Sequence, residues 1–167
     1  MEKYKPIIKA INHSIRGFSV LLNQELGIPI FNKQRLSNNE YCWDLTKKSW
    51  DEVIFPSDES KGVYIILGTS SVENKIGAYI GKASYKSRIG NRLYSHLSYG
   101  KRKEKYYPLY DKDGKKFYME LVMTIPLEKQ LVWFPAALEE YLIHKLQKKN
   151  VHLLNAVGHK PKAREDK

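Results

Sequence analysis

The stretch GVYIILGTSSVENKIGAYIGKAS, residues 62–84, decides the fold that the sequence predicts. It contains two runs rich in β-branched and aromatic residues, 62–67 and 76–81, joined by the polar segment GTSSVENK. Such runs on either side of turn-forming residues are typical of a β-hairpin with a long loop. Tyr64 and Tyr79 stand near the paired ends of this unit, but tyrosine also serves as ordinary packing material in strands. The stretch alone therefore predicts a hairpin and leaves the role of its two phenols open.

Outside the hairpin, residue patterns predict one more strand and three helices. Apolar residues recur at helical spacing near the N-terminus and after the hairpin, a β-branched and aromatic run follows, and Pro135 suits the first turn of a last helix. The predicted elements are a helix at 7–26, a helix at 87–99, a strand at 116–125 and a helix from Pro135 to about residue 149. This order predicts an α+β fold: a small three-stranded antiparallel sheet flanked by helices, with an N-terminal helical arm.

Three segments differ in what their residues predict. Residues 1–60 are expected to form an N-terminal arm or subdomain, in which NEYCWDL and WDEVIF fit either short strands or turns. Residues 61–158 hold the hairpin, the third strand and the last two helices, and VHLLNAVG at their end is expected to pack back on them. Residues 159–167 are a charged, basic tail. One domain with an appended arm is a usual arrangement for a chain of 167 residues.

Composition narrows the class of partner. The formal net charge of +11 favours a polyanionic partner, with nucleic acid ahead of a membrane surface, although a lysine-rich composition alone would give the same number. Cys42 is the only cysteine, so the chain holds neither a disulfide framework nor a thiolate zinc site, in keeping with a cytoplasmic protein. No signal-peptide pattern appears, and no apolar run approaches the roughly 20 residues of a membrane span.

Two pairs of polar residues on predicted helices stand out. Arg92 and His96 are four apart, so they share one helix face, beside the apolar stripe that meets the sheet. A guanidinium matches phosphate geometry and an imidazole can move a proton, although a surface arginine and a surface histidine are the commoner case. On the last helix, Glu139 shares the apolar face, whereas Glu140 lies on the polar side. A carboxylate there needs a cation or a metal ion, and a lysine salt bridge is the simpler alternative.

A basic segment follows the predicted helix 87–99. KRKEKYYPLY, residues 101–110, interleaves basic and aromatic side chains, which can hold a phosphate backbone or stack on bases. A solvated loop with packed tyrosines is the alternative. The expected phosphate contacts are Arg88, Lys101, Arg102 and Lys103.

In order along the chain, Gly62-Val63-Tyr64, Tyr79-Ile80-Gly81-Lys82, IGNRLYSHL (89–97) and LEEYLI (138–143) followed by Asn155 resemble the GIY-YIG nuclease domain. The resemblance covers residues 61 to about 158. Within the family, the sequence most resembles the branch that contains type II restriction endonucleases, because the repair-incision branch usually has tyrosine where His96 stands. The first tripeptide has valine for isoleucine, and the two tyrosines are farther apart than in compact members, so residues 68–77 read as an insertion.

The resemblance implies a role for each matching residue. Tyr64 corresponds to the tyrosine that acts as general base or positions the attacking water, and Tyr79 to its partner on the phosphate. Lys82 would lower a phenol pKa or touch phosphate, Arg92 would stabilise developing charge, and His96 would handle a proton. Glu139 corresponds to the single metal-binding glutamate. Asn155 corresponds to the asparagine that ties the C-terminal segment to the site.

The resemblance also implies the activity. It is hydrolysis of phosphodiester bonds in double-stranded DNA with Mg²⁺, for which Mn²⁺ is a substitute. A restriction-type or other defence endonuclease is the leading expectation, and a homodimer on a palindromic site is one arrangement that this expectation allows. A structure-specific repair or recombination nuclease is an alternative. A nucleic-acid-binding module without cleavage is a further alternative, from another functional class.

Overall fold

The structure, a computed structural model, describes residues 1–22, 28–47, 55–98, 107–111, 114–127 and 133–155. After a 3₁₀ turn at Glu2–Tyr4, the elements in chain order are α1 (Lys5–Leu21), α2 (Lys33–Ser37), β1 (Cys42–Asp44), β2 (Lys61–Ser70), β3 (Ile76–Ala83), α3 (Ile89–Ser98), β4 (Tyr107–Tyr110), β5 (Lys116–Leu127) and α4 (Phe134–Lys148). The predicted α+β class is confirmed. Across these ranges, no helix combines the length and the apolar character needed to cross a membrane.

The sheet is antiparallel, and its strand count differs from the prediction. Its order is β1-β5-β2-β3, and β4 also pairs with β5, so the described residues form five strands. The predicted three strands, β2, β3 and β5, form its centre and one edge. The prediction of three strands was wrong because β1 is too short to show a period in sequence. The segment that contains β4 has the basic and turn-forming residues of a loop.

The β2–β3 hairpin is longer than the sequence indicated. Gly68 pairs with Gly77 and Thr69 with Ile76, so residues 68–70 of the expected loop belong to β2 and the connection spans 71–75. Gly68 looks like a loop residue in sequence, but it lies at a bulge against β5, where a Cβ atom would approach the carbonyl oxygen of Tyr118 to 2.4 Å. Within the range 68–77 that the sequence had suggested as an insertion, residues 68–70 and 76–77 therefore belong to the strands and only 71–75 form a loop.

Alternating side chains of the sheet enter two hydrophobic clusters. On one face, α1 and α4 pack on Val63, Ile65 and Leu67 of β2. On the other face, Ile89 and Leu93 of α3 pack with Tyr64 and Ile66. Successive residues of a strand point to opposite faces, so the register of the sheet decides which helix each side chain of β2 and β3 meets.

The N-terminal residues share this core. Helix α1 begins at Lys5 and ends at Leu21, earlier than the predicted end at residue 26, and residues 23–27 lie outside the described ranges. Phe18 contacts Phe134 and Tyr141 of α4, with ring centroids 6.3 and 5.2 Å apart. Tyr4 donates a hydrogen bond of 3.0 Å to Glu120 on β5. The division at residue 60 stays a prediction, and the described part of the N-terminal segment packs on the sheet.

The C-terminal segment returns to the sheet, as expected. Helix α4 begins one residue before Pro135 and ends at Lys148. Beyond it, Leu153 forms a parallel bridge with Ala78, and the Leu154 side chain is buried. Residues 151–155 thus run along the outer edge of β3. The predicted tail at 159–167 lies outside the described residues.

Gly62 allows the start of β2 to lie against β5. Its φ of 151° is rarely adopted by other residues, and a Cβ atom there would lie 2.0 Å from the carbonyl oxygen of Ile125. Gly114 has a positive φ of 74° but nothing within 4 Å of its Cβ position, so it is a matched control.

We expect Gly62→Ala to lower the free energy of unfolding by more than about 3 kcal/mol, because the methyl group meets rigid backbone. Gly114→Ala should cost only about 1 kcal/mol, from backbone strain alone. Urea denaturation followed by circular dichroism measures both variants. Equal losses would contradict the close approach at Gly62.

Candidate active site

Tyr64 stands at the centre of the sheet. Its strand lies between β3 and β5, and its register partners are Gly81 and Thr124. The side chain is fully buried, and its ring lies across Gly81, where a Cβ atom would come within 2.2 Å of Tyr64 Cζ. Gly81 therefore provides the space that the phenol occupies.

Tyr79 places a second phenol on the same face. It pairs with Ile66, two residues from Tyr64, and residues two apart on a strand share a face. The centroids of the Tyr64 and Tyr79 rings are 6.2 Å apart. The side chain of Tyr79 is half-buried, so this phenol is the more accessible of the two.

Helix α3 brings a third ring to the two phenols. The helix docks through its first residues, because Ile89 donates a backbone hydrogen bond to Ser60 and Gly90 donates one to Asp58. His96 lies on the face of α3 that packs against the sheet, and its Nε2 is 2.9 Å from the Tyr64 hydroxyl. The His96 ring also contacts Tyr79 edge-on at a centroid distance of 4.8 Å.

The ionisation of this three-ring cluster follows from its burial. Burial raises the pKa of the Tyr64 and Tyr79 hydroxyls above their ordinary value and lowers the pKa of His96 to about 4. At neutral pH, Tyr64 therefore keeps its proton and His96 is neutral. In the hydrogen bond between them, the Tyr64 hydroxyl donates to Nε2 when the proton of the neutral imidazole is on Nδ1, and it accepts when that proton is on Nε2.

Arg92, one helical turn before His96, is exposed at the edge of the cluster. Its charge acts on all three rings. It opposes the rise in the pKa of Tyr64 and Tyr79, and it adds to the fall in the pKa of His96. Arg92 and His96 thus share one helix face, with His96 inside the cluster and Arg92 at its solvent side, although the sequence predicted that both side chains lie where the helix meets the sheet.

Lys82 and Glu139 meet on the opposite face of β3. Lys82 follows Gly81, so its side chain points to the face of the sheet on which α4 packs. Its Nζ lies 2.6 Å from Glu139 Oε2. The Glu139 side chain is 15% exposed, whereas Glu140 is exposed, as the helical phase predicted. The ion pair is the simpler alternative foreseen for a glutamate on this face.

The two groups act on the same phenol. The negative charge of Glu139 raises the pKa of Tyr79, and the positive charge of Lys82 lowers it, although burial is the largest cause of the shift. Lys82 was expected to lower a phenol pKa. In the protein alone its effect has the expected direction but is outweighed by burial.

Asn155 fixes the strand between these groups. Its Oδ1 accepts a hydrogen bond of 2.8 Å from the backbone nitrogen of Ile80, and its Nδ2 donates one of 2.5 Å to the carbonyl oxygen of Ile80. Ile80 lies between Tyr79 and Gly81. The carboxamide thus replaces a neighbouring strand at the outer edge of β3, as expected for a residue that ties the C-terminal segment to the site.

The described residues contain no group of three or more His, Cys, Asp or Glu side chains that could hold a metal ion. Glu139 offers one carboxylate, of which Oε2 is bound to Lys82. Mg²⁺ requires only one or two carboxylates because it keeps several waters. Glu139 fits such an ion as a single protein ligand, provided that substrate oxygens and water complete the coordination and Lys82 shares or releases the carboxylate.

The other predicted residues lie outside this cluster. Arg88 is exposed and forms an ion pair with Glu59. Lys101, Arg102 and Lys103 lie outside the described residues. Sequence reasoning predicted that the apolar stripe of this helix meets the sheet, but it missed the close contact at its first turn, where a Cβ atom on Gly90 would come within 1.8 Å of Asp58 Oδ1. The glycine directly after Ile89 is a sequence signal for that contact.

Comparisons of the chain with protein-family models, curated proteins and solved structures found no match.

His96 gives the site a pH dependence that stability measurements can detect. Its pKa is lowered from 6.5 to about 4 in the folded chain. The unfolded chain therefore takes up a proton as the pH falls below about 6.5, while the folded chain resists protonation down to about 4. As the pH falls through this interval, the free energy of unfolding therefore decreases, because only the unfolded chain gains the protonated form of His96.

We expect the protein to lose about 2 kcal/mol more unfolding free energy between pH 7 and pH 5 than the variant His96→Gln does. His144→Gln, at an exposed position on α4, is the matched control and should behave as the parent. Urea denaturation at the two pH values measures the difference. If all three proteins lose the same amount, the imidazole of His96 is not held neutral by burial.

Proposed function

We propose that the chain is a Mg²⁺-dependent GIY-YIG endonuclease that hydrolyses phosphodiester bonds in double-stranded DNA. One observation carries the proposal: the adjacent strands β2 and β3 bring together two polar pairs whose members are distant in sequence. Tyr64 and His96 are 32 residues apart and share a hydrogen bond, and Lys82 and Glu139 are 57 apart and share an ion pair. Asn155, 75 residues from Ile80, holds the strand between them.

The Tyr64–His96 pair supplies a route for a proton. A water that attacks phosphorus must lose a proton as its oxygen bonds to phosphorus. The Tyr64 oxygen accepts this proton while Tyr64 passes its own to His96 Nε2, so neither phenolate nor imidazolium has to exist beforehand. This relay avoids a phenolate at Tyr64, whose pKa is raised, and the negative charge of a bound phosphate would oppose the burial and the Arg92 charge that lower the pKa of His96, the final proton acceptor. Positioned proton transfer is typically worth about 10²–10⁴-fold in rate.

Cationic and phenolic groups supply the remaining contacts to the phosphate. Arg92, exposed beside the phenols, is placed to neutralise the charge that develops on the phosphate oxygens, and a fixed guanidinium matches these oxygens in pairs. Tyr79, the more accessible phenol, positions a phosphate oxygen through its hydroxyl. The net charge of +11 favours the approach of a polyanion.

The metal ion would be held by Glu139. Mg²⁺, or Mn²⁺ in its place, would supply Lewis-acid assistance to the departing 3′-oxygen as its bond to phosphorus breaks. Lys82 is then free to contact phosphate. A non-cleaving DNA-binding module is the second candidate, favoured by one observation: Lys82 already occupies an oxygen of Glu139, the one carboxylate of the cluster within the described part of the chain.

Digestion of supercoiled plasmid and of long linear DNA with Mg²⁺ separates these functions. A restriction-type or defence endonuclease gives discrete bands, and sequencing of the ends then gives the cut site. A structure-specific nuclease nicks only branched or damaged substrates. Retarded DNA without cleavage at any Mg²⁺ or Mn²⁺ concentration would refute the nuclease proposal.

Glu139→Gln should reduce cleavage by at least about 10²-fold while DNA binding is retained, because the amide keeps the shape but cannot hold the metal ion. Glu140→Gln is the matched control on the same helix and should keep most of the activity. Initial rates of plasmid cleavage and gel retardation without metal measure the two effects. Equal loss of cleavage in both variants would place the metal ion elsewhere.

A further inference from the structure

A second polar site lies at the other edge of the sheet from β3. A cavity of about 400 Å³ opens beside α2, and its lining includes Asn32, Gln34, Arg35, Asn38 and Tyr41. Thr124 donates its backbone N–H to Tyr41 O, and β2 pairs with the opposite edge of β5. The cavity is therefore separated from Tyr64 by β5.

Arg35 is a half-buried cation, and few hydrogen bonds replace the water that its guanidinium loses on burial. Its Nη2 donates one hydrogen bond of 3.2 Å to the carbonyl oxygen of Thr124, and its guanidinium carbon lies 3.8 Å from the centroid of the Tyr41 ring. Its Nε is buried without a hydrogen-bond acceptor. In the described part of the chain Arg35 forms no ion pair, and the exposed Glu40 acts on it only through its field.

Such a cation is costly unless something pairs with it. Burial is the largest cause that lowers the pKa of Arg35, which reflects the loss of water around the charge. Stacking on Tyr41 holds the guanidinium in one orientation and offsets part of this cost. An anion in the cavity would offset the rest, because hydrogen bonds between two charged groups are the stronger kind.

The neighbouring carboxamides add donors to the same cavity. Asn32 Oδ1 accepts a hydrogen bond from the backbone nitrogen of Arg35, and Asn38 Oδ1 accepts one from that of Glu40, each at 2.8 Å. With both oxygens engaged, each asparagine has its NH₂ group left to offer a ligand. The lining thus presents the Arg35 cation, the amide donors of Asn32 and Asn38 and a third carboxamide on Gln34, and it contains no carboxylate.

We propose that this cavity is a binding site for a phosphate group, with Arg35 as its anchor and Asn32 and Asn38 as flanking donors. The same chemistry would accept a free phosphate ion or a phosphodiester of bound DNA. The proposal does not depend on catalysis by the Tyr64 cluster, so each can fail without the other.

The test is a titration of the ¹⁵N-labelled full chain with inorganic phosphate, without metal ions, followed by NMR. We expect saturable shifts of the side-chain NH₂ signals of Asn32 and Asn38. The shifts should persist in Arg92→Gln, which removes the cation at the Tyr64 cluster, and disappear in Arg35→Met. Shifts that survive in Arg35→Met, or none in the wild type at millimolar phosphate, would overturn the proposal.

A conservative variant covers the case in which Arg35→Met does not fold. Arg35→Lys keeps the charge but loses the planar fork, so the Kd for phosphate should rise about tenfold. An unchanged Kd in Arg35→Lys would refute the role of the guanidinium as anchor.

A short DNA duplex, added in place of phosphate, identifies the source of the group. Shifts of the Asn32 and Asn38 signals that phosphate competes away would indicate a DNA phosphodiester as the ligand. Shifts with phosphate alone would indicate a free phosphate ion.

Discussion

The contact between the Tyr64 ring and Gly81 is the constraint on which the site depends. Tyr64 is fully buried in a central strand, and only a residue without a side chain opposite it leaves room for the ring. A shift of the β2–β3 register by one residue would turn every side chain of one strand to the other face. Tyr64 would then point at α1 and α4, and its hydrogen bond with His96 would be lost.

β3 links the two halves of the site because its faces meet different helices. Tyr79 points to α3, and Lys82, three residues later on the same strand, points to α4, where Glu139 lies. Tyr79 is influenced by charges from both faces, since Arg92, Lys82 and Glu139 all act on its pKa. A single edge strand, held by the carboxamide of Asn155, thereby couples groups that no helix could bring together alone.

Sequence reasoning located the hairpin, the helix with Arg92 and His96 and the helix with Glu139, because each of these has a clear period. It distinguished Glu139 from Glu140 by helical phase alone. It misjudged the loop of the hairpin, since Gly68 signals a turn in sequence but a close strand contact in the structure. It left the segment of β1 open as either a short strand or a turn, and it missed β4, because both strands are too short for a pattern.

The electrostatics of the cluster were beyond sequence reasoning for a physical reason. The expected lowering of a phenol pKa by Lys82 considered charge alone, whereas burial, which depends on tertiary packing, raises the pKa of both phenols. The cavity at Arg35 was missed likewise, because a basic residue in a short polar segment reads as a surface residue. Only packing against Tyr41 and Thr124 makes it a half-buried cation.

The central claim is that the Tyr64–His96 pair and Glu139 serve one reaction. A double-mutant cycle on the rate of plasmid cleavage, with Tyr64→Phe and Glu139→Gln, tests it most directly. If both groups act in one step, the double variant should be hardly slower than the slower single variant, because groups that act as a unit are strongly non-additive. Rate losses that multiply, or a parent protein that binds DNA without cutting it, would contradict the account.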